Sequence, residues 1–413
     1  MFVSSRDFVY SKFQEFYNNP STVIPSPTSF EQREFAYLMF KERFMVRHKR
    51  FEDMTEFQKI LARNAFSDVY HSCAYYEKPD LEMDKKGWFG SDLVFDIDAD
   101  HIPTSCDKIH DEWICKKCEF SGKGITPEEC PICGSDKFSA KTWVCDSCIE
   151  STRIETAKLI DMLTKDFGFA DSELRVFFSG HRGYHVHVED EAVRSLDALS
   201  RKEIVDYITG LGLSVFDRYA KENNAKGRRR VASTKNFSLH DYGWNRRLKV
   251  GMEKFLTTIT AEDMKKSGLK NNNLFKNKDA IINRAIKGGR WDSISGVSVA
   301  TWVKLAEQVK GLESANIDTV VTTDIHRLIR MNGTLHGKTG LLKMEFPVRQ
   351  LDTFDPLTQA VAFKKGSFKV LVSDVPEFKL GGAVWGPYKN VKVILPTAVA
   401  VMLILKGRAE VAD

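Results

Sequence analysis

The sequence predicts an α+β fold in which strands that carry charged motifs are flanked by helices. Three apolar runs typical of strands carry charged or glycine-rich motifs, and they lie at 91–98, 174–188 and 314–348. Stretches with the apolar spacing of helices separate these runs. A cysteine-rich segment at 101–150 interrupts this alternation and indicates an inserted metal-binding module. We therefore expect mixed β-sheets flanked by helices, an inserted zinc-binding module and a helical subdomain.

The chain has 413 residues, which is enough for two or three domains or for one large domain. We expect a core made of three separate parts of the chain: 1–105, 149–196 and 291–413, the last of which includes the C-terminal segment. A zinc-binding insertion lies at 106–148, with a ribbon at 115–133. A helical subdomain with a basic loop lies at 197–290.

Local patterns predict individual elements. The aromatic-rich stretch Phe30–Phe40 has the amphipathic spacing of a helix, and 43–47 has the composition of a strand. Apolar residues recur at helical spacing between Ser151 and Phe167, and the hydroxyl of Ser151 can cap the start of that helix.

The positive charge of the chain is concentrated in one stretch. The net charge is only +5, but 221–250 holds nine Lys/Arg against two Asp/Glu, so this stretch carries +7 and the rest of the chain −2. Concentrated positive charge releases counterions from nucleic-acid phosphates. The segment 227–230 (GlyArgArgArg) is therefore a candidate nucleic-acid contact, with a solvated surface loop as the alternative.

The chain is expected to be cytoplasmic and to have no membrane partner. Its first residues lack the basic start and apolar run of a secretory signal. The longest apolar stretch, Val393–Leu405, has 13 residues and contains Pro396, whereas a bilayer requires about 20. We interpret it as a core strand that ends near Leu395 and a helix that starts at Pro396, because proline suits the first helical turn.

Two carboxylates end an apolar strand. Asp96 and Asp98 are two residues apart in SDLVFDID, so both side chains point to the same face. Such a pair can share hard divalent cations, and two cations can clamp the attacking and leaving oxygens of a phosphoryl transfer. The alternative is a solvated strand end.

A glycine-flanked turn follows in SGHRGYH. Gly180 and Gly183 allow the backbone to pass close to a ligand, and Ser179, Arg182 and His185 offer hydrogen-bond donors. The composition fits a cradle for a triphosphate, with an ordinary hairpin turn as the alternative. His185 and His187 share a face, so a metal site there is a further, less favoured interpretation.

A third cluster lies in HRLIRMNGTLHGKTGL. Arg330, His336 and Lys338 are surrounded by glycines, and Asp318 and Asp324 precede them. A basic glycine-rich loop beside an acid again suits phosphates and a cation, although the Walker pattern GxxxxGK[ST] is not met. A basic surface loop is the alternative.

Seven of the eight cysteines lie between Cys106 and Cys148, which in an intracellular protein is typical of metal binding. Two CxxC pairs separated by 11 residues predict a zinc ribbon with the ligands Cys115, Cys118, Cys130 and Cys133. The remaining candidates form a second set of four: Cys106, His110, Cys145 and Cys148. We expect two zinc ions, both structural because four protein ligands leave no open position; one zinc with several free thiols is the alternative.

The ribbon also carries candidate contacts to nucleic acid. Trp113, Lys116 and Lys117 belong to it and offer a stacking surface and positive charge. Ribbons of this kind are also used as structural or protein-binding modules, and that alternative stays open.

Taken in order, LVFDID, SGHRGYH and HRLIRMNGTLHGKTG resemble the motifs of the catalytic small subunits of archaeal and eukaryotic DNA primases. ArgGluPhe at 33–35 and ArgHisLysArgPhe at 47–51 add to the resemblance, which covers 30–345, and 374–410 is similar to archaeal members. The resemblance implies a primase-type core and template-directed synthesis of short primers from nucleoside triphosphates.

The resemblance also implies roles for individual residues. Three carboxylates, Asp96, Asp98 and Asp318, would hold Mg²⁺ or Mn²⁺, with Asp324 as the alternative third acid. The nucleotide contacts would be Ser179, His181, Arg182, His185, Arg330, His336 and Arg47. His181 stands where eukaryotic members have arginine, and Arg330 where they have lysine, which keeps the charge but changes its geometry. The family's own structural zinc follows the carboxylate strand, so the ribbon would be inserted within that site's loop.

The family's partner is a large subunit with an iron–sulfur cluster, so the resemblance implies a heterodimer acting on a single-stranded DNA template. A repair or translesion polymerase of the same superfamily is the main alternative. A non-catalytic zinc-ribbon protein that only binds nucleic acid is the third.

Overall fold

The computed structural model describes residues 4–40, 44–213, 241–260, 276–287 and 299–412, together with Glu262, Leu274 and Val297. The chain forms two compact units: unit 1 comprises 1–157, 170–202 and 316–413, and unit 2 comprises 158–169 and 203–315. The five-part division expected from the sequence is finer than this one and stays a prediction.

The described residues combine helices with several sheets, as an α+β fold requires. The strands are β1 Phe35–Met39, β2 Met45–Lys49, β3 Phe66–Ser72, β4 Ala74–Tyr76, β5 Trp88–Ser91, β6 Leu93–Asp98, β7 Glu112–Cys115, β8 Ser121–Lys123, β9 Phe138–Lys141, β10 Leu174–Phe178, β11 Gly183–Val188, β12 Leu328–Arg330, β13 Met344–Phe346, β14 Ser367–Val375, β15 Phe378–Leu380, β16 Ala383–Trp385, β17 Tyr388–Pro396 and β18 Ala409–Val411.

The helices are α1 Ser5–Asn18, α2 Met54–Arg63, α3 Asp107–His110, α4 Asp146–Lys165, α5 Glu191–Arg194, α6 Ala198–Thr209, α7 Gly243–Thr258, α8 Lys278–Ala280, α9 Val299–Glu313, α10 Thr319–Thr323, α11 Pro356–Gln359 and α12 Thr397–Leu405. A π-helical segment, Ile281–Lys287, continues α8. Short 3₁₀ turns lie at Phe30–Gln32, Met83–Lys85, Asp171–Glu173 and Val348–Gln350.

Two four-stranded sheets of unit 1 carry the sequence motifs. One has the order β13-β10-β11-β6 and contains the carboxylate strand and the glycine-flanked hairpin. The other has the order β12-β3-β1-β2, and β12 brings the third motif to it. The strand pairs of these two sheets are all antiparallel, so the expectation of mixed sheets is wrong for them within the described residues. Two of these pairs, β1–β2 and β10–β11, are consecutive hairpins, whereas the other pairs join strands that are distant in sequence.

An aromatic core supports the second sheet. Phe35 on β1 packs against Phe30, Phe51 and Phe57 at ring separations of 4.7 to 5.4 Å. The hydroxyl of Tyr17 on α1 accepts a hydrogen bond of 3.1 Å from the backbone N–H of Leu335. Helix α1 therefore anchors the loop that carries the third motif.

Three local predictions can be compared with the structure. The prediction of a helix at Phe30–Phe40 is wrong, because β1 pairs on both sides with β2 and β3 and its aromatic side chains enter the core. The strand predicted at 43–47 is found at Met45–Lys49. Ser151 does not cap a helix, because α4 already begins at Asp146 and the Ser151 hydroxyl donates to the carbonyl of Ser147 at 2.8 Å.

The C-terminal segment follows its prediction within one residue. Strand β17 ends at Pro396, and α12 runs from Thr397 with Pro396 as its N-terminal cap. Helix α12 is apolar and its residues Val399 to Leu403 are buried. In the part of the chain that the structure describes, this helix and all others are too short or too polar to cross a bilayer.

Unit 2 is helical in its described part. Arg247 on α7 donates to Asp166 at 2.5 Å and lies 2.9 Å from Asp161. Tyr207 also donates to Asp166, at 3.1 Å. The basic segment 227–230, a candidate nucleic-acid contact, lies outside the described residues.

Candidate active site

The two carboxylates of β6 lie beside the start of β11. In the antiparallel register, Asp98 is opposite Gly183 and Asp96 is opposite His185. The Nε2 atom of His185 is 3.5 Å from a carboxylate oxygen of Asp96. A Cβ atom at position 183 would lie 2.1 Å from the carbonyl oxygen of Ile97. Only glycine allows this approach, which brings the turn against the ends of the carboxylates' strand.

A third carboxylate joins this pair from a distant part of the chain. The backbone N–H of Asp318 donates to the carbonyl oxygen of Asp96 at 2.8 Å. The Asp318 side chain caps α10 by accepting from the N–H groups of Val320 and Val321. Desolvation, followed by the charges of Asp98 and Asp318, raises the pKa of Asp96 to about 8. Three acids thus repel one another at one place, which is the electrostatic setting that a divalent cation stabilises.

The alternative acid, Asp324, belongs to another cluster. Its carboxylate accepts from the backbone N–H of His326 at 2.9 Å. The ring of His326 is stacked on Tyr76, whose hydroxyl is 3.0 Å from His326 Nδ1. Of the two candidate acids, Asp318 is the one that is hydrogen-bonded to Asp96.

The glycine-flanked turn is held by its own backbone and by Ser179. The N–H of Ser179 donates to the carbonyl of Gly183 at 2.9 Å, and the Ser179 hydroxyl accepts from the N–H of His181 at 3.3 Å. Gly180 has φ +86°, a conformation that favours glycine. His181 lies with Nδ1 4.0 Å from Asp98 and Nε2 2.8 Å from Nζ of Lys406.

Arg182 points away from this turn into the protein. Its guanidinium pairs with Asp100, donates to Asp111 at 2.7 Å and donates to the carbonyl of Trp143 at 3.1 Å. Although burial opposes the charge, Asp100 and Asp111 raise the pKa of Arg182. The side chain is only 2% exposed. These contacts differ from the predicted phosphate contact, since the partly exposed Asp100 and the buried Asp111 already bind the guanidinium.

The third motif is tied to a carboxylate that sequence reasoning did not single out. Arg330 at the end of β12 pairs with Asp68 on β3, and the Gly337 N–H donates to the same Asp68 oxygen at 2.9 Å. Burial opposes the Asp68 charge, but Arg330 and the hydrogen bond from the Gly337 N–H hold the pKa of this carboxyl well below its usual range. Asp68 therefore fixes both ends of the loop that contains His336.

The two glycine-rich loops pack together. The rings of His181 and His336 are stacked with centroids 5.2 Å apart, and the Thr339 hydroxyl donates to the carbonyl of Gly180 at 2.5 Å. Burial, assisted by neighbouring cations, holds the pKa of each of these two histidines well below its usual value. Both rings are therefore neutral near pH 7, and they offer hydrogen bonds rather than charge.

Arg47 lies in a cluster on the other sheet. It makes hydrogen bonds of 3.1 and 3.3 Å to Glu34, the acid of the ArgGluPhe motif. Lys86 donates to the same carboxylate at 2.5 Å. The Arg47 side chain is 37% exposed, so Glu34 holds it without burying it.

Lys343 was not predicted and lies close to the candidate site. It is buried, donates to the carbonyl of Arg330 at 2.7 Å and lies over the Phe177 ring at 4.5 Å. Burial lowers the pKa of Lys343 to about 7. The available signal was a single lysine in the apolar run LeuLeuLysMet. His185, near Lys343, has a buried Nδ1 atom for which the described residues offer no hydrogen-bond partner.

Both predicted cysteine sets come together in space. In the first set, sulfur atoms of Cys106, Cys145 and Cys148 are 3.4 to 3.7 Å apart, and His110 Nε2 is 3.3 Å from Cys145. In the second set, the Cys115–Cys133 and Cys118–Cys130 sulfur separations are both 3.6 Å. A tetrahedral ion with bonds of about 2.3 Å separates its sulfur ligands by about 3.8 Å, so both sets fit such an ion.

The ribbon is a three-stranded sheet in the order β8-β7-β9. Trp113 on β7 is buried against Gly122 and packs on Phe138 at 5.4 Å. The prediction that Trp113 contacts a template is therefore wrong, because its ring forms the small core of the ribbon. Lys116 and Lys117 are exposed.

A further group of candidate ligands lies beside the carboxylates. Atoms of Asp98, Asp100 and His181 lie within 4.8 Å of one another. Asp100 is also the partner of Arg182, and it directs its N–H to Asp98 at 3.0 Å. The end of β6 thus carries more potential cation ligands than the three acids expected from the sequence.

Comparison with known proteins gives a consistent result. The sequence profile of the DNA primase small subunit family matches residues 133–348. The DNA primase small subunit PriS of Nitrosopumilus maritimus is 31% identical over 409 residues, covering 98% of each chain. The protein of the same name from Methanococcoides burtonii is 32% identical over 99% of each chain, and that of Archaeoglobus fulgidus is 31% identical over 98% of each chain.

Proposed function

Because the chain belongs to the DNA primase small subunit family, we propose that it is the catalytic subunit of a primase. In this proposal it synthesises short primers de novo from nucleoside triphosphates on single-stranded DNA. The reaction is a nucleotidyl transfer, in which a 3′ hydroxyl attacks the α-phosphate of the incoming nucleotide and pyrophosphate leaves.

The observation that carries the proposal is the meeting of three acids from two distant segments. Asp96 and Asp98 come from β6, and Asp318 is joined to Asp96 by a backbone hydrogen bond of 2.8 Å. The raised pKa of Asp96, about 8, fits a site that is completed by cations. We assign Mg²⁺ or Mn²⁺ to these three carboxylates. Such cations would activate the attacking hydroxyl and neutralise charge on the leaving pyrophosphate.

The residues of the two packed loops are proposed to hold the triphosphate. We assign these contacts to Ser179, His185, Arg330 and His336. We assign His181 instead to the support of the turn, because its two ring nitrogens face Asp98 and Lys406. Neutral histidines suit triphosphate contacts as hydrogen-bond donors, and Arg330 supplies charge while Asp68 fixes its position. His185 adds a buried ring that already lies 3.5 Å from Asp96.

We propose different roles for Arg182 and Arg47, which were both expected to contact the nucleotide. We assign Arg182 to the support of the turn, because Asp100 and Asp111 bind its buried guanidinium. Arg47 stays a proposed nucleotide contact, since it is partly exposed and Glu34 fixes its guanidinium.

The two cysteine sets are proposed to hold one structural Zn²⁺ each. Four ligands in each set approach one another at separations that suit a tetrahedral ion. The Cys106 set joins the end of β6 to the start of α4, so a bound ion would stabilise the loop next to the carboxylates. In the ribbon set, a bound ion would stabilise a small sheet of its own.

The small-subunit family implies a partner, and we propose a heterodimer with a large primase subunit that carries an iron–sulfur cluster. The experiment combines the full chain with that subunit and supplies single-stranded DNA, Mn²⁺ or Mg²⁺ and nucleotides without any primer. Formation of dinucleotides and short primers supports the proposal. Extension of a supplied primer, without any unprimed synthesis in the presence of the large subunit, would instead identify a repair or translesion polymerase.

A further inference from the structure

Lys406 connects the C-terminal helix to the glycine-flanked turn. It follows α12 directly, and its Nζ atom lies 2.8 Å from Nε2 of His181. The same ammonium donates to the carbonyl oxygen of Thr142 at 3.0 Å. Three distant segments of unit 1 therefore meet at one nitrogen atom.

The position of Lys406 is fixed by the helix before it. Val399 to Leu403 are buried, and the backbone N–H of Lys406 donates to the carbonyl of Met402 at 2.9 Å. Because a packed apolar helix holds the Cα atom, the lysine side chain cannot leave His181 by a shift of the main chain.

The chemistry of the two groups determines the tautomer of His181. A lysine ammonium has three N–H donors and no acceptor. Burial lowers the pKa of Lys406 to about 7, so Nζ is mainly an ammonium below pH 7. The hydrogen bond from this ammonium requires that Nε2 accept, which places the ring proton on Nδ1. The Nδ1–H group then faces Asp98, whose carboxylate oxygen is 4.0 Å away.

This tautomer decides what His181 can do beside the carboxylates. Asp98, Asp100 and His181 present ligand atoms within 4.8 Å of one another, a spacing that a transition-metal ion can use. A protonated Nδ1 has no lone pair for such an ion. His181 with the proton on Nδ1 is instead a donor that faces Asp98.

We propose that Lys406 is a positioning residue: it holds His181 in the Nδ1–H tautomer, so that His181 directs a hydrogen-bond donor toward Asp98 and does not act as a cation ligand. The expected effect of this contact on the reaction rate rests on the proposed function, because Asp98 is one of the three proposed metal-binding acids. Its structural part concerns the ring of His181 alone.

The direct test is the ¹⁵N spectrum of the full chain labelled at histidine. Long-range ¹H–¹⁵N correlations distinguish the two neutral tautomers, and the signal lost in His181→Asn assigns the ring. At pH 6, where Lys406 is mainly an ammonium, wild type and Lys406→Arg should have the proton on Nδ1, since arginine is also only a donor. In Lys406→Met the proton should move to Nε2, where the Thr142 hydroxyl is 3.4 Å away and can accept. An Nε2–H form in the wild type, or the same tautomer in Lys406→Met, would overturn the proposal.

The kinetic test uses the complex of both subunits. Lys406→Met should lower kcat about tenfold, the scale of one charge-assisted hydrogen bond, with little change in the nucleotide KM. Lys406→Arg should restore most of the rate, and Lys392→Met, which removes an exposed lysine of β17, should not change it. An increase confined to the nucleotide KM would overturn the positioning role, because it would make Lys406 a phosphate contact.

The two tests separate the two hypotheses. A wild-type complex without primer synthesis would contradict the proposed function but would leave the tautomer measurement interpretable. A correct tautomer shift in Lys406→Met with an unchanged kcat would contradict the kinetic part of this inference and leave the proposed function in place.

Discussion

The guanidinium of Arg182 donates a hydrogen bond of 2.7 Å to Asp111, whose other oxygen lies 2.7 Å from Nδ1 of His110. His110 is one of the candidate zinc ligands, and its Nε2 atom faces Cys145. One carboxylate thus joins a candidate zinc-ligating histidine to the turn that borders Asp98. Carboxylates in this position orient the ligand ring and fix its tautomer.

Replacing Arg182 should therefore weaken metal retention by Cys106, His110, Cys145 and Cys148 more than it weakens nucleotide binding. Arg182→Gln leaves Asp111 buried without its ion partner, and we expect a loss of about 3–5 kcal/mol in the free energy of unfolding. Urea titration measures this loss, and a chromogenic chelator should extract zinc faster from the variant. Unchanged stability together with a raised nucleotide KM would instead support the phosphate contact expected from the sequence.

The Asp68–Arg330 pair should make stability depend on acid pH. The folded-state pKa of Asp68 lies well below its ordinary value, so its contribution is fully present above about pH 4 and is lost as pH falls further. We expect Asp68→Asn to cost about 3–5 kcal/mol at pH 7. The difference in unfolding free energy between wild type and variant should shrink below pH 4. A difference that does not vary with pH would contradict the ion-pair explanation.

Gly183 should not tolerate a side chain. A Cβ atom there would lie 2.1 Å from the Ile97 carbonyl oxygen and 2.9 Å from Cα of Asp98, so Gly183→Ala must separate β11 from β6. We expect loss of nucleotide incorporation and a lower melting temperature. Gly311→Ala is the matched control, because its Cβ meets no atom within 4 Å and alanine favours a helix. Equal effects of the two substitutions would contradict the close-approach argument.

The two cysteine sets should be separable by substitution. Cys118→Ser should remove about one zinc equivalent and leave the unfolding of the rest of the chain nearly unchanged, because Cys118 is an exposed ligand of the ribbon. Cys148→Ser should also remove one equivalent but should destabilise the whole unit, since Cys148 is buried within α4 and lies 3.7 Å from Arg182. Elemental analysis with thermal unfolding measures both. Simultaneous loss of both ions in Cys118→Ser would show that the sets are not independent.

Much of the site could be predicted because its signals are local. Asp96 and Asp98 end an apolar run, so period-two alternation was enough to place them on one face. The grouping of the cysteines followed from spacing, since CxxC pairs are close by covalent geometry. The hairpin at 174–188 could be predicted because glycines punctuate two apolar runs.

The partners of these residues could not be predicted, because they depend on contacts between distant segments. Asp68 pairs with Arg330 across 262 positions, and Lys406 reaches His181 across 225. The residues next to Arg182 in the sequence do not show whether its side chain faces a phosphate or a buried carboxylate. Asp111 was the one accessible signal, because an acid next to a ligating histidine commonly orients it.

The wrong predictions for Phe30–Phe40 and Ser151 also arise from contacts with other segments of the chain. Phe30–Phe40 has helical spacing of its aromatic residues, but pairing with two neighbouring strands outweighs that weak preference. Helix α4 begins before Ser151, at Asp146, so that Cys148 lies in its first turn and the Cys145 and Cys148 sulfurs are 3.7 Å apart.

Nucleotide incorporation by Asp98→Ala is the most direct measurement of the proposed catalytic role of the three acids. The variant complex is given single-stranded DNA, nucleotides and Mn²⁺, and its zinc content is measured in the same preparation. We predict no incorporation above the blank while both zinc ions are retained, because Asp98 is a proposed cation ligand and belongs to neither cysteine set. Near-normal synthesis by Asp98→Ala would contradict the assignment of the catalytic centre to Asp96, Asp98 and Asp318.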